Sequence, residues 1–122
     1  MKKGISIITF LLLSITAFAQ ENNKELVTMY ENDQASRMNG QIDWAVLSRE
    51  DSIRRASVDR MIKEGKVKTA QDFYHAAMIY QHGSDTIASG KAVQYMKKAV
   101  EMDPSTNKWL LAAAIDRDLM RK

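Results

Sequence analysis

Thr69-Ala70-Gln71-Asp72-Phe73-Tyr74-His75-Ala76-Ala77-Met78-Ile79-Tyr80-Gln81-His82-Gly83 reads as one helix with both of its ends written into it. Thr69 followed three residues later by Asp72 has the form of a capping box, in which two side chains satisfy backbone N–H groups that a helix start leaves free. Phe73, Ala76, Ala77 and Tyr80 recur at helical spacing, and Gly83 stops the run. The same grammar repeats outward in both directions. Upstream, Asn22 to Asn39 carries Leu26, Met29 and Tyr30 and ends at Asn39-Gly40; Ser48 with Asp51 then reads as the cap of a helix through Ile53, Val58, Met61 and Ile62 to Gly65. Downstream, a fourth helix begins near Ala88 and ends ahead of Pro104, because the residue before proline avoids helical geometry. A fifth starts at Ser105 or Thr106 and runs through Trp109, Leu110 and Ala112 to Met120. No segment alternates with β-branched enrichment, so no strand is predicted. The expected fold is all-α: a single small domain of about five antiparallel helices with repeat-like helix pairs.

The other decisive stretch is the first nineteen residues. Lys2 and Lys3 precede an apolar run from Ile5 to Phe18, and Ala17-Phe18-Ala19 places small residues where a signal peptidase reads. The reading is a cleavable signal peptide over residues 1–19 and a helical domain over 20–122, exported to the periplasm or beyond. The apolar run is short for a membrane-spanning helix, so no stable membrane anchor is expected after cleavage, an uncleaved anchor being the alternative. No cysteine follows the run, which excludes a lipid-anchored lipoprotein.

Composition narrows the function classes. The chain has 18 Lys and Arg against 15 Asp and Glu, and two of the lysines leave with the signal peptide, so the mature domain is nearly balanced. A nucleic-acid partner would need a clear basic excess and is not expected. The absence of cysteine removes thiol nucleophiles, disulfides and Cys-based metal sites. His75 and His82 are the only imidazoles, too few for a three-histidine zinc site and too far apart along one helix to share a metal. No GxSxG elbow, HExxH pair or glycine-rich phosphate loop occurs. Neither a metal nor a cofactor is expected. Met29, Met38, Met61, Met78, Met96, Met102 and Met120 sit at helical positions and read as core filler rather than as a copper site.

Charged residues on apolar stripes are the candidates for function. At about 100° per residue, Asp33 and Arg37 share the stripe of Leu26 and Tyr30, and Asp51 and Arg54 lie near Val58 and Met61. Trp109 to Ile115 is apolar on all sides and is expected to be the buried centre, with Asp116 and Arg117 directly after it. Charges so placed must be paired and hydrogen-bonded, with Gln34 and Gln81 supplying further donors and acceptors. At least one of Asp116 and Arg117 is expected to be buried and ion-paired to the first or third helix. Three outcomes are open: a network that fixes helix register, a ligand or catalytic pocket, or solvated surface pairs. Asp72 and His75 are expected as an exposed helical pair, the alternative being an orienting pair for a general base. His82, at the helix end, is the best candidate acid or base.

Two resemblances follow from these residues. Ala92, Met96, Ala99 and Pro104, within Tyr95 to Pro104, are similar to the second helix of a tetratricopeptide repeat, over about one helix. Over nearly the whole mature chain, Asp33-Gln34 with Arg37, the Asp72–Gly83 segment with Ala76-Ala77 and Gln81-His82-Gly83, and Asp116-Arg117 after Trp109-Leu110 resemble a broad, uncharacterised family of helical bacterial proteins. That resemblance implies no reaction, only that these Asp, Arg, Gln and His residues belong together. Similar proteins continue after the Asp-Arg pair with a glycine and a Gln-Tyr-Gly-Thr-Gln-like segment; this sequence stops at Lys122, so either a truncated product or a member without that part of the site is expected. The leading expectation is a binding module with a repeat-like groove for a protein or peptide. Its binding residues would be Asp33, Gln34, Arg37, Gln81, His82, Asp116 and Arg117. The competing expectation is a hydrolase-like enzyme using His82 with the Asp33, Arg37, Asp116 and Arg117 cluster, His82 and Asp116 being its catalytic candidates.

Overall fold

A computed structural model describes residues 19–122, so the signal-peptide reading lies outside the described residues save for Ala19. Among them the chain forms five helices and no strand: α1 (Lys24–Met38), α2 (Trp44–Lys63), α3 (Ala70–Gln81), α4 (Thr86–Met102) and α5 (Trp109–Arg121). None is long and apolar enough to cross a membrane.

The capping box of α3 is present as read: the Thr69 side chain accepts from Asp72 N–H, and the Asp72 carboxylate accepts from Thr69 N–H. The start of α2 is a correction. Asp43, not Ser48, is its N-cap and accepts from the N–H groups of Ala45 and Val46, leaving Ser48 inside the helix. An aspartate there does the same job as serine one turn earlier, and nothing in the intervening residues breaks the helix. At the other end of the chain, Asp103 folds Ser105 into a turn through its N–H and hydroxyl, so α5 starts at Trp109 rather than at Ser105 or Thr106.

The core lies between α3 and α4. Ala76, Ala77, Ile79 and Tyr80 meet Ala88, Ala92, Tyr95 and Met96, with Leu26 of α1, Val58 and Met61 of α2, and Leu110 and Ala114 of α5 closing around them. Small side chains on both central helices leave little to hold the backbones apart, and Ala76, Ala77 and Ala92 are fully buried. Tyr80 sends its hydroxyl to the Arg55 carbonyl, which satisfies the one polar atom that ring brings inside.

The expected buried centre at Trp109 to Ile115 is overturned. Trp109 is 70% exposed and only Leu110 and Ala114 of that run are buried, because α5 packs on α4 from outside and presents one narrow stripe. All-round apolar composition in a short peripheral helix therefore marked alanine content, not burial. Met61 and Met96 are core residues, whereas Met38, Met102 and Met120 are exposed.

Candidate functional site

The site is built on Asp33, whose side chain is 1% exposed. Its carboxylate accepts from Arg37 Nη1 at 2.8 Å and from Gln34 Nε2 at 3.0 Å, and stands 3.0 Å from His82 Nδ1. Arg37 lies one turn after Asp33 on α1, so the helix itself sets that pair. The second nitrogen of Arg37 reaches Asp51 of α2 at 2.6 Å, and Arg54 Nη1 donates to Asp51 at 3.0 Å while standing 3.7 Å from Asp33. Two carboxylates and two guanidinium groups thus alternate across the α1–α2 seam, with His82 from the end of α3 as the third wall. Glu50, one turn before Arg54 on α2, also pairs with Arg54 at 3.3 Å. Because Asp33 is already accepting from Arg37 and Gln34, it can only accept from His82. That places a proton on Nδ1, which donates to the carboxylate.

His82 also opens this network onto a cleft of about 540 Å³ lined by Arg37, Trp44, Ser48, Arg55, Arg117 and Arg121, among others. Three of its arginines differ from those of the network. Arg55 donates only to the Ser52 hydroxyl, Arg117 to the Gln81 carbonyl, and Arg121 to the Asp85 carbonyl. None has a carboxylate within ion-pair distance among the described residues. Asp51 is the one acidic residue on the lining, and it is taken up by Arg37 and Arg54. Gly83 holds the floor in place: a Cβ there would fall 2.2 Å from Ala88 Cβ and 3.3 Å from Arg55 Cδ.

The sequence-derived residues divide accordingly. Asp33, Gln34, Arg37 and His82 come together. Gln81 is buried but contributes its backbone carbonyl, and its side-chain oxygen finds no partner. Arg117 reaches α3 through that carbonyl rather than through an ion pair, and it is half-buried. Asp116 is exposed and stands apart from the cluster, so the expected burial at Asp116-Arg117 fails. The buried acid of α5 is Asp118, two residues on. Hydrogen bonds from Lys122 and from the Ser89 hydroxyl hold its carboxyl below the usual carboxylate range.

Asp72 and His75 are buried, not an exposed pair. Asp72 accepts from the N–H groups of Asn23, Lys68 and Thr69, tying the start of α1 to the start of α3. His75 stacks on Tyr30 with ring centroids 4.2 Å apart. Burial pushes its imidazole pKa down, against weaker upward pulls from Asp72 and Glu31. Trp44, Arg55 and Arg121 were missed. The four-residue spacing of Arg117 and Arg121 was a readable cue; Arg55 carries none that separates it from Arg54. No family model, curated protein or solved structure matches the chain.

Proposed function

We propose that this protein is an exported helical binding module whose arginine cleft takes up an anionic ligand. The observation that carries the reading is the set of three guanidinium groups, on Arg55, Arg117 and Arg121, that line one cleft and have no carboxylate within ion-pair distance among the described residues. A guanidinium fork matches carboxylate and phosphate oxygens, and several together create a field that an anion relieves. The Asp33–Arg37–Asp51–Arg54 network is then scaffold: it fixes α1 against α2 and presents His82 to the cleft. A protein or peptide partner, as proposed from the sequence, would enter through an acidic group.

The Asp33–His82 pair favours a second reading, hydrolase-like chemistry in the same cleft. A histidine held through Nδ1 by a buried carboxylate is oriented as a general base. Asp116 has no part in it.

The test is calorimetric titration of inorganic phosphate into protein purified after expression of the full chain, at low salt. Saturable binding that weakens about tenfold or more in Arg55→Gln and in Arg121→Gln supports the cleft. Equal binding by wild type and both variants refutes it. His82→Gln separates the readings: unchanged affinity with loss of any esterase or phosphatase turnover is the enzyme result. N-terminal sequencing of the exported product checks the cleavage site after Ala19.

A further inference from the structure

Trp44 is the first residue of α2, lines the arginine cleft, and is 71% exposed. Its indole adds little to the packing of α2, which is capped by Asp43 and anchored by Leu47, Val58 and Met61. Ser48, one turn further along α2, and Ser84, in the turn between α3 and α4, line the same cleft with neutral hydroxyls that both donate and accept. The lining therefore has two chemically different parts, a set of guanidinium forks and an aromatic plate.

Resting on the anion-binding reading above, we infer that the ligand is a phosphate monoester carrying a planar ring, with the phosphate on Arg55, Arg117 and Arg121 and the ring stacked on Trp44. The charge argues for phosphate over a single carboxylate. Three guanidinium groups without an ion-paired carboxylate match a dianion with three terminal oxygens, whereas a carboxylate offers two oxygens and one charge. The plate argues for the ring, since an indole face attracts flat π-systems and gains little from an aliphatic chain beyond area. Two kinds of molecule share this chemistry, a free nucleotide and a phosphotyrosine side chain in a peptide.

The experiment is a titration series on the full-chain product in the Trp109→Phe background. Trp109 does not line the cleft, and its removal leaves Trp44 as the tryptophan whose fluorescence is read. The probes are inorganic phosphate, phenyl phosphate, a nucleoside monophosphate and a phosphotyrosine peptide. Phenyl phosphate is expected to bind about tenfold more tightly than inorganic phosphate and to quench the indole. Measured by calorimetric titration, since these variants carry no indole in that background, Trp44→Ala should bring the two within about twofold, and Trp44→Phe should keep most of the difference. Of the nucleotide and the peptide, the tighter binder identifies the source of the ring. If inorganic phosphate binds but phenyl phosphate gains nothing, or its gain survives Trp44→Ala, the ring inference is overturned and the anion cleft stands. If no probe binds a chain whose thermal unfolding matches wild type, the anion cleft itself is overturned.

Discussion

Replacing Asp33 with alanine should unfold this domain more readily than any other single truncation in the polar network. The substitution removes one carboxylate and leaves four groups that were turned towards it: Arg37, Gln34, His82 and, at 3.7 Å, Arg54. Breaking a fully buried pair by deleting one partner costs about 3–5 kcal/mol. The lower end applies here. Both guanidinium groups keep Asp51, and the Arg37 side chain is 23% exposed, so water reaches part of what is stranded. A loss of about 3 kcal/mol corresponds to a fall in Tm of roughly 15 °C for a domain of this size. Asp33→Asn retains volume and an acceptor and should lose about half as much. Urea unfolding followed by circular dichroism gives the numbers, and a double-mutant cycle with Arg37→Met gives the coupling, expected at about 1 kcal/mol or more. A loss under about 1 kcal/mol for Asp33→Ala, or strict additivity with Arg37→Met, would refute the reasoning that Asp33 organises the seam.

Asp72→Ala should lose about 2–4 kcal/mol, since three backbone N–H donors from two helix starts lose their acceptor; hydrogen exchange at Asn23, Lys68 and Thr69 should accelerate with it. Gly83→Ala should destabilise by about 1–3 kcal/mol because its methyl meets Ala88 Cβ head-on, and a thermal melt equal to wild type would contradict that packing. His75 sets a pH dependence. Its folded pKa is depressed from an ordinary 6.5 by burial, so below that value the unfolded chain takes up the proton first and stability is lost as pH falls towards the folded pKa. The urea midpoint should therefore drop as pH falls through and below about 6.5, and His75→Gln should show a shallower drop over that range.

Helix identity was legible because capping and stop residues act locally. Thr69, Asp72 and Gly83 delimit α3 without help from the rest of the fold. Asp33 and Arg37 were legible for a related reason: charges on an apolar stripe must find one another, wherever the helices place them, and His82 was legible from its place at the helix end. What could not be read is which helix lies in the middle. Trp109 to Ile115 and Asp72 to Tyr80 are both rich in apolar residues, and only the packing of α1, α2 and α4 around α3 makes one central and the other peripheral. The same blindness moved the buried acid of α5 from Asp116 to Asp118, a rotation of about 200° around the helix. Arg55 and Arg121 escaped because a surface guanidinium and a site guanidinium look alike until neighbouring helices enclose them.

The mounting of α5 has a dynamic consequence. This helix holds to the domain by Leu110, Ala114 and Asp118 on α4, and by two guanidinium contacts to carbonyls at Gln81 and Asp85. Those two contacts come from the same side chains that furnish one wall of the cleft. Detachment of α5 would dismantle the wall, so an occupant that grips Arg117 and Arg121 also fastens the helix down. The amides of Trp109–Arg121 should be among the first to exchange in the empty protein and to slow when the cleft fills, making this segment a sensor of occupancy before any ligand is identified.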